Sequence, residues 1–231
     1  MRRVDVLLEP ATLVAMLAAL FLVFVIVPTE AEMGIVQRIF YFHVASAWVA
    51  YLGFAIVAVA SAVYLWNGSR TADLLALGAA EIGVLFCTLV LVTGPIWARP
   101  IWGVWWTWDP RLTMTVIMWS IYAAYIMLRS FGGEDEAVSR YAAVLGIAGV
   151  VNIPIIRVSV RLLHGMHPSV LTQREGGGSG LADPWMRTGM WVSVLALMLL
   201  AAWLIVLRVR AERMASEVRA LRRQLEGQAV A

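Results

Sequence analysis

Six runs of apolar residues, separated by more polar or charged stretches of varying length, dominate the pattern of the sequence. Each run is long enough to cross a hydrocarbon layer of roughly 30 Å as a helix that rises about 1.5 Å per residue. The pattern therefore predicts an all-α integral membrane protein, a bundle of six transmembrane helices. The runs cover about Ala11 to Pro28, Tyr41 to Trp66, Ala72 to Trp97, Leu112 to Leu128, Tyr141 to Ile156 (interrupted late by Pro154) and Met186 to Leu207.

Composition supports this class and excludes others. The chain is 61% hydrophobic and 14% charged, and its net charge of +3 is too small to indicate a nucleic-acid partner. Its one cysteine, Cys87, provides neither a disulfide framework nor a CxxC or CxxCH motif. No small-residue cleavage site follows the first apolar run, so we expect a retained transmembrane helix rather than a signal peptide.

The basic residues, all of them arginine, indicate the orientation. With the N-terminus inside, eleven arginines flank the spans on the cytoplasmic side and seven on the outer side, which favours an N-in/C-in arrangement. Seven is a high number for translocated segments, so we expect some of them to have a function there. They are Arg38, Arg99, Arg111, Arg157, Arg161, Arg174 and Arg187.

Parity places the histidines without any assumption about absolute orientation. The segment before the second span, the connection from the third to the fourth, and the connection from the fifth to the sixth must share one face. His43, a tryptophan cluster, His164 and His167 lie in or beside these segments. All three histidines of the chain are therefore expected on the same surface as the tryptophans.

The cluster is a tryptophan-rich segment, residues about 97–113 between the third and fourth spans, with five of the eleven tryptophans. An aromatic belt at the headgroup level accounts for one or two tryptophans per helix end, but poorly for five so close together. If the segment were helical, Trp102, Trp105 and Trp106 would form one aromatic face. Such a face at the interface suits a large planar amphipathic ligand. The five are Trp97, Trp102, Trp105, Trp106 and Trp108.

Charged and imidazole groups accompany the tryptophans. Asp109 and Pro110 predict an N-cap and a first helical residue for the fourth span, and Asp109 could also orient Arg111. Arg111 could pair with a ligand carboxylate or extend toward water. A lone interfacial histidine is usually structural or solvated, but neutral imidazole is also a standard axial ligand of heme iron. A bis-histidine heme site and a structural role for the histidines both stay open at this point.

Two features lie away from this surface. Glu81 is a carboxylate within the third span, and its depth near the cytoplasmic side favours a structural hydrogen bond or a subunit contact. We expect a transmembrane domain over residues 1–207 and a charged cytoplasmic helical tail over residues 208–231. The tail is either a stop-transfer anchor or a helix that binds a partner or the membrane surface. Its apolar stripe consists of Met214, Val218, Leu221 and Leu225.

Several motifs resemble one known family. Residues 102–113, WGVWWTWDPRLT, resemble the WGxxWxWDxRLT signature of heme-handling membrane proteins of cytochrome c maturation. Residues 37–43, QRIFYFH, resemble the QRIxYxH segment of the CcmC family, and residues 152–156 its NxPII element, which His167 follows eleven residues later. The resemblance covers about residues 35–207. Related CcmF and CcsA-type proteins have more spans and more histidines, so the chain is most similar to CcmC.

The resemblance implies a site for non-covalent heme b at the periplasmic face of the bacterial inner membrane. His43 and His167 are the implied axial ligands, with His164 as a competing candidate. Arg38 and Arg111 are the implied propionate contacts. The other implied heme-binding residues are Trp102, Gly103, Trp105, Trp106, Trp108 and Asp109, with Trp97 and Arg99 as further candidates. Family members commonly have alanine where Pro110 stands.

The same resemblance implies that heme is delivered to the periplasmic heme chaperone CcmE, within an ABC-transporter-like complex with CcmA, CcmB and CcmD. It does not imply a conventional enzyme, and promotion of the covalent heme–chaperone bond stays open. Two alternatives remain. A permease subunit that exports heme would need its ATPase from a partner, since the chain has no P-loop. An electron-transfer b-type cytochrome subunit usually has paired histidines at mid-membrane, where this sequence has none.

Overall fold

A computed structural model describes the backbone of residues 2–133, 135–162, 181 and 183–230, and the side chains of residues 7–133, 135–159, 181, 183–226 and 228. Within these ranges the chain forms seven α-helices and one short π-helix, and no strand. The α-helices are α1 (Arg2–Phe21), α2 (Gln37–Asn67), α3 (Arg70–Trp102), α4 (Pro110–Phe131), α5 (Glu136–Val150), α6 (Asn152–Leu162) and α7 (Pro184–Val230); the π-helix, Leu22–Ile26, continues α1.

In the part of the chain that the structure describes, six helical stretches are long and apolar enough to cross a membrane. The predicted fold class, an all-α bundle of six membrane-spanning helices, is confirmed. The fifth stretch, Glu136–Ser159, contains α5 and most of α6, and the helix breaks at Val151. Pro154 therefore lies in the first turn of α6, where its missing N–H removes no intrahelical hydrogen bond.

Helix α2 lies at the centre of the bundle and packs against α3, α5 and α7. Its Phe54 stacks on Tyr122 of α4, with the ring centroids 3.8 Å apart. The Tyr122 hydroxyl donates a hydrogen bond to the carbonyl oxygen of Gly146 in α5 at 2.9 Å. The ring stacking and this hydrogen bond together join α2, α4 and α5. Because the buried hydroxyl has a partner, it stabilises the core instead of weakening it.

A two-residue turn joins α2 to α3. Gly68, at φ +69°, ends α2, and the Ser69 hydroxyl accepts a hydrogen bond from the Ala72 N–H at 3.3 Å to cap α3. Because the turn is short, residues at equal distance from it lie at similar heights in the two helices. Gly53 and Gly83, each 15 residues from Gly68, meet there. A Cβ on Gly53 would lie 3.1 Å from the Gly83 Cα, so the backbones approach closely.

Alanine at Gly53 is expected to destabilise the bundle relative to alanine at Gly94. Both changes gain the same helix propensity, about 1 kcal/mol. Only the Gly53 methyl would press on a neighbouring backbone; the Gly94 methyl would meet the His43 Cε1 at an ordinary 3.4 Å. Overpacking of this kind costs about 1–3 kcal/mol. Thermal unfolding in detergent would measure the difference, and equal melting temperatures would contradict it.

Ion pairs hold the end of the bundle opposite the tryptophan-rich segment. Asp73 of α3 is buried and accepts hydrogen bonds from Arg70 at 2.7 Å and from Arg129 of α4 at 2.9 Å. Arg129 also donates to the hydroxyl of Ser139 in α5. The buried carboxylate thus links α3 to α4 and, through Arg129, to α5.

Glu81 has a partner in α7. Arg208 donates from Nη2 to Glu81 Oε1 at 2.8 Å and from Nε to the other carboxylate oxygen. Arg208 also donates to Glu212 at 2.9 Å, one turn further along α7. The expected structural role for Glu81 is therefore seen as a two-pronged ion pair between α3 and α7. Helix α7 continues to Val230, and the stripe of Met214, Val218, Leu221 and Leu225 is exposed.

Candidate heme-binding site

The tryptophan-rich segment and His43 lie at the same end of the bundle, called here the tryptophan end. The start of α2, the end of α3 and the start of α4 meet there because successive helices run antiparallel. Helix α3 extends to Trp102 and ends at Gly103, whose φ is +77°. The Gly103 N–H donates to the Arg99 carbonyl oxygen at 3.0 Å, and the Arg99 guanidinium donates to the Gly103 carbonyl oxygen. Arg99 thus closes the helix end.

A single helical face of Trp102, Trp105 and Trp106 is not formed, because the chain is not helical after Trp102 and the condition for that face is not met. The left-handed glycine stops α3 at Trp102, and residues 104–109 have no helical conformation before α4 begins. Pro110 contributes, because a proline disfavours helical geometry in the residue before it. Gly103 at one side of the segment and Pro110 at the other therefore keep it from being helical.

The indoles instead form edge-to-face pairs. Trp97 and Trp102 have ring centroids 5.0 Å apart at an interplanar angle of 85°, and Trp106 and Trp108 have centroids 5.9 Å apart at 82°. Trp105 is 60% exposed and Trp108 78% exposed, which is unusual for such large apolar side chains. The segment presents indole surface away from the described core and holds it by aromatic contacts.

Asp109 starts α4 as the sequence predicted. Its Oδ1 accepts a hydrogen bond from the Arg111 N–H at 2.8 Å, and Pro110 is the first helical residue. The carboxylate is only 7% exposed, and its second oxygen, Oδ2, is buried without a hydrogen-bond partner. One oxygen therefore serves the helix, and the other remains available to a ligand or an ordered water.

The two arginines predicted to bind carboxylates each bury their Nε atom. Arg111 buries its Nε, so this guanidinium does not simply extend into water; it lies within electrostatic range of Tyr51, Asp109 and Arg157. Arg38 donates from Nη1 to the Phe24 carbonyl oxygen at 2.8 Å. Its own Nε is buried without a partner.

Buried polar atoms without partners concentrate at the tryptophan end. Among the described residues eight such side-chain atoms occur, and six are on residues of this end. Each unpaired buried group costs about 1–3 kcal/mol, so a cluster of them marks a place where an ordered water or a ligand would complete the hydrogen bonds. The six are Arg38 Nε, Trp97 Nε1, Thr107 Oγ1, Asp109 Oδ2, Arg111 Nε and Thr113 Oγ1.

His43 lies in the second turn of α2 and is partly buried. Its Nδ1 is 2.8 Å from the Thr93 hydroxyl of α3. Within the described part of the chain its Nε2 makes no hydrogen bond. Thr93 is nine residues before the end of α3, so the imidazole lies about 13 Å along that helix from Trp102.

Two of the three histidines, His164 and His167, lie outside the described residues, and one neighbour of His43 was not expected from the sequence. Sequence reasoning missed Thr93, and it listed Arg157 only as an outer arginine. The short α2–α3 turn could have pointed to Thr93. His43 and Thr93 are each 25 residues from Gly68, so a tight turn there places them at similar heights in the two helices.

The fold defines a class: a multi-pass helical membrane protein. The groups at its tryptophan end are of the kinds that bind a planar, largely apolar, anionic ligand, because indole surfaces can pack on such a plane and guanidiniums can pair with carboxylates. An imidazole with an uncommitted Nε2 suits a metal at the centre of such a ligand.

Comparison with known proteins gives the family. The model of the CcmC family, heme exporter protein C, matches residues 1–224. The heme exporter protein C of Bradyrhizobium diazoefficiens is 33% identical over 194 residues, covering 84% of this chain and 73% of that protein. Those of Escherichia coli K12 and Haemophilus influenzae are each 33% identical, over 79% and 80% of this chain and 73% and 74% of theirs. The chain belongs to the heme exporter protein C family.

Proposed function

We propose that this protein binds heme at the periplasmic membrane face and delivers it to the heme chaperone CcmE during c-type cytochrome biogenesis. One observation carries the proposal: six unpaired buried polar atoms lie at the same end of the bundle as an imidazole whose Nε2 has no hydrogen bond in the described chain. Family membership supports heme as the cargo, since the relatives are named heme exporter protein C.

The residues take distinct roles in this proposal. His43 and His167 are the axial ligands of a non-covalently held heme b, with His164 as the competing second ligand. Arg38 and Arg111 pair with the propionates, and Asp109 keeps Arg111 at the start of α4. Bound heme supplies the iron that the imidazoles coordinate. The indoles supply apolar contact and exclude water, and the ones given this role are Trp97, Trp102, Trp105, Trp106 and Trp108.

We propose the N-in/C-in orientation in the bacterial inner membrane, with the tryptophan end in the periplasm and the tail, residues 208–231, in the cytoplasm. The protein acts within a complex with CcmA, CcmB and CcmD, and an ATPase partner supplies any energy. Accessibility of single cysteines to a membrane-impermeant maleimide would test the orientation, in a Cys87→Ala background. One variant would carry its cysteine in the tail and another in place of Trp108. If the reagent added outside labelled the tail cysteine and not the one at position 108, the proposed orientation would be wrong.

Delivery is tested by co-expression with CcmE, with and without the ATPase. We expect covalent heme on CcmE when this chain is present and none when it is absent. A His43→Ala variant that accumulates at the normal level should behave as the absent chain. Equal heme attachment with and without this chain would refute the delivery role.

Arg111→Gln is expected to weaken the binding of protoheme but not of its dimethyl ester. The guanidinium contacts carboxylates in the proposal, and a charged hydrogen bond of this kind contributes about 1.5–3 kcal/mol, or roughly tenfold or more in affinity. Titration of the purified protein with each compound, followed by absorption spectroscopy, would measure both affinities. An equal loss for protoheme and the ester would assign Arg111 a structural role instead.

A further inference from the structure

The hydrogen bond between His43 and Thr93 has a defined direction. Thr93 has one hydroxyl hydrogen, and its Oγ1 lies 2.6 Å from the carbonyl oxygen of Leu89, four residues earlier in α3. A carbonyl oxygen only accepts, so the hydroxyl hydrogen is committed to Leu89. The 2.8 Å contact with His43 Nδ1 then requires the hydrogen to be on the imidazole.

The proton count fixes the tautomer of His43. A neutral imidazole has one N–H and one lone pair, on different nitrogens. With the hydrogen on Nδ1, the lone pair is on Nε2, the nitrogen without a hydrogen bond in the described chain. Metal-bound histidines commonly donate their other N–H to an oxygen in this manner, which orients the ring and increases the basicity of the ligand nitrogen.

The surroundings of the ring favour the same arrangement. Gly94, next to Thr93, lies beside the imidazole edge, since a Cβ there would be in ordinary van der Waals contact with His43 Cε1 at 3.4 Å. Thr93 and His43 are on two helices whose relative height is set by the tight Gly68–Ser69 turn. The acceptor is therefore held by helix packing rather than by a loop.

We propose that Thr93 is a positioning residue: its hydroxyl holds His43 as the Nδ1–H tautomer and directs the Nε2 lone pair toward the heme iron. This inference rests on the proposed function for the identity of the metal ligand. The tautomer and the hydrogen bond, however, belong to the heme-free protein and can be measured without heme.

The first test is the tautomer in the full-length, heme-free protein. With three histidines in the chain, selective ¹⁵N labelling gives a simple imidazole spectrum, and a His43→Ala variant assigns the signal. We expect the Nδ1–H form in the native protein and in Thr93→Ser, which keeps the hydroxyl. In Thr93→Val, which keeps the shape and removes the acceptor, we expect a shift toward the Nε2–H form. A native Nε2–H form, or no shift in Thr93→Val, would overturn the inference.

The second test is titration with ferric protoheme. Loss of such an outer-shell partner typically lowers metal affinity by about 10–100-fold, so Thr93→Val should weaken binding by roughly tenfold or more and change the midpoint potential. Thr93→Ser should remain close to the native protein. If Thr93→Val kept the native heme affinity and midpoint potential while His43→Ala bound heme weakly, the positioning role of Thr93 would be refuted and the role of His43 would stand. Unchanged binding in His43→Ala would instead refute the axial role in the proposed function.

Discussion

Replacing His43 by alanine is expected to lower the affinity for heme more than any other single change proposed above. Loss of a partner behind a metal ligand already costs about 10–100-fold, so loss of the ligand itself should cost at least as much. The bis-histidine absorption spectrum should be lost in the same variant. Titration with protoheme and the reduced-minus-oxidised spectrum measure the two effects.

Exogenous imidazole provides the control for that variant. It should occupy the space left by the side chain and restore part of the heme that stays with the protein through gel filtration, which a variant that had merely misfolded could not do. If His43→Ala kept the native spectrum and affinity, the iron would be held by other groups and the assignment of His43 would be wrong.

Removing the Asp73 carboxylate is expected to produce the largest loss of stability. Asp73 is 3% exposed, and the Arg129 side chain that donates to it is 8% exposed. Asp73→Ala would leave a buried guanidinium without its counterion, and breaking a buried pair by removing one partner costs about 3–5 kcal/mol. The midpoint of unfolding in detergent with added denaturant would report this loss.

Glu136→Ala is the matched control. Glu136 and Arg140 form an i, i+4 pair whose side chains are 72% and 66% exposed, and an exposed pair of this kind contributes about 0–1 kcal/mol. The double variant Asp73→Ala/Arg129→Met should recover part of the stability, because it removes the unpaired charge. Equal effects of Asp73→Ala and Glu136→Ala would contradict the buried network.

The sequence predicted the architecture because the membrane imposes it. An apolar run must be helical in hydrocarbon, since only a helix satisfies its backbone hydrogen bonds within one segment. Asp109 and Pro110 likewise fix the start of α4 by local chemistry, as the N-cap hydrogen bond to the Arg111 N–H confirms. The heme-ligand and arginine assignments remain proposals.

The arrangement of the tryptophan-rich segment is not decided by residue spacing alone. Helical spacing of Trp102, Trp105 and Trp106 suggested one aromatic face, but Gly103 adopts a left-handed conformation and ends the helix. Glycine is permissive, so its presence allows that conformation without requiring it. The indoles are then arranged by their mutual contacts, which no spacing encodes.

By itself the sequence determined the six apolar runs, the connections between them and, through parity, which chemical groups share an end of the bundle. Only the tertiary structure decided which side chains meet. Arg208 reaches Glu81 across 127 positions of the chain, and the Thr93 hydroxyl meets His43 Nδ1 across 50. A short turn sets the relative height of two helices, but their rotation about their own axes depends on packing against every neighbour. That rotation directs Thr93 at the imidazole of His43, beneath the tryptophans that first marked this end of the protein.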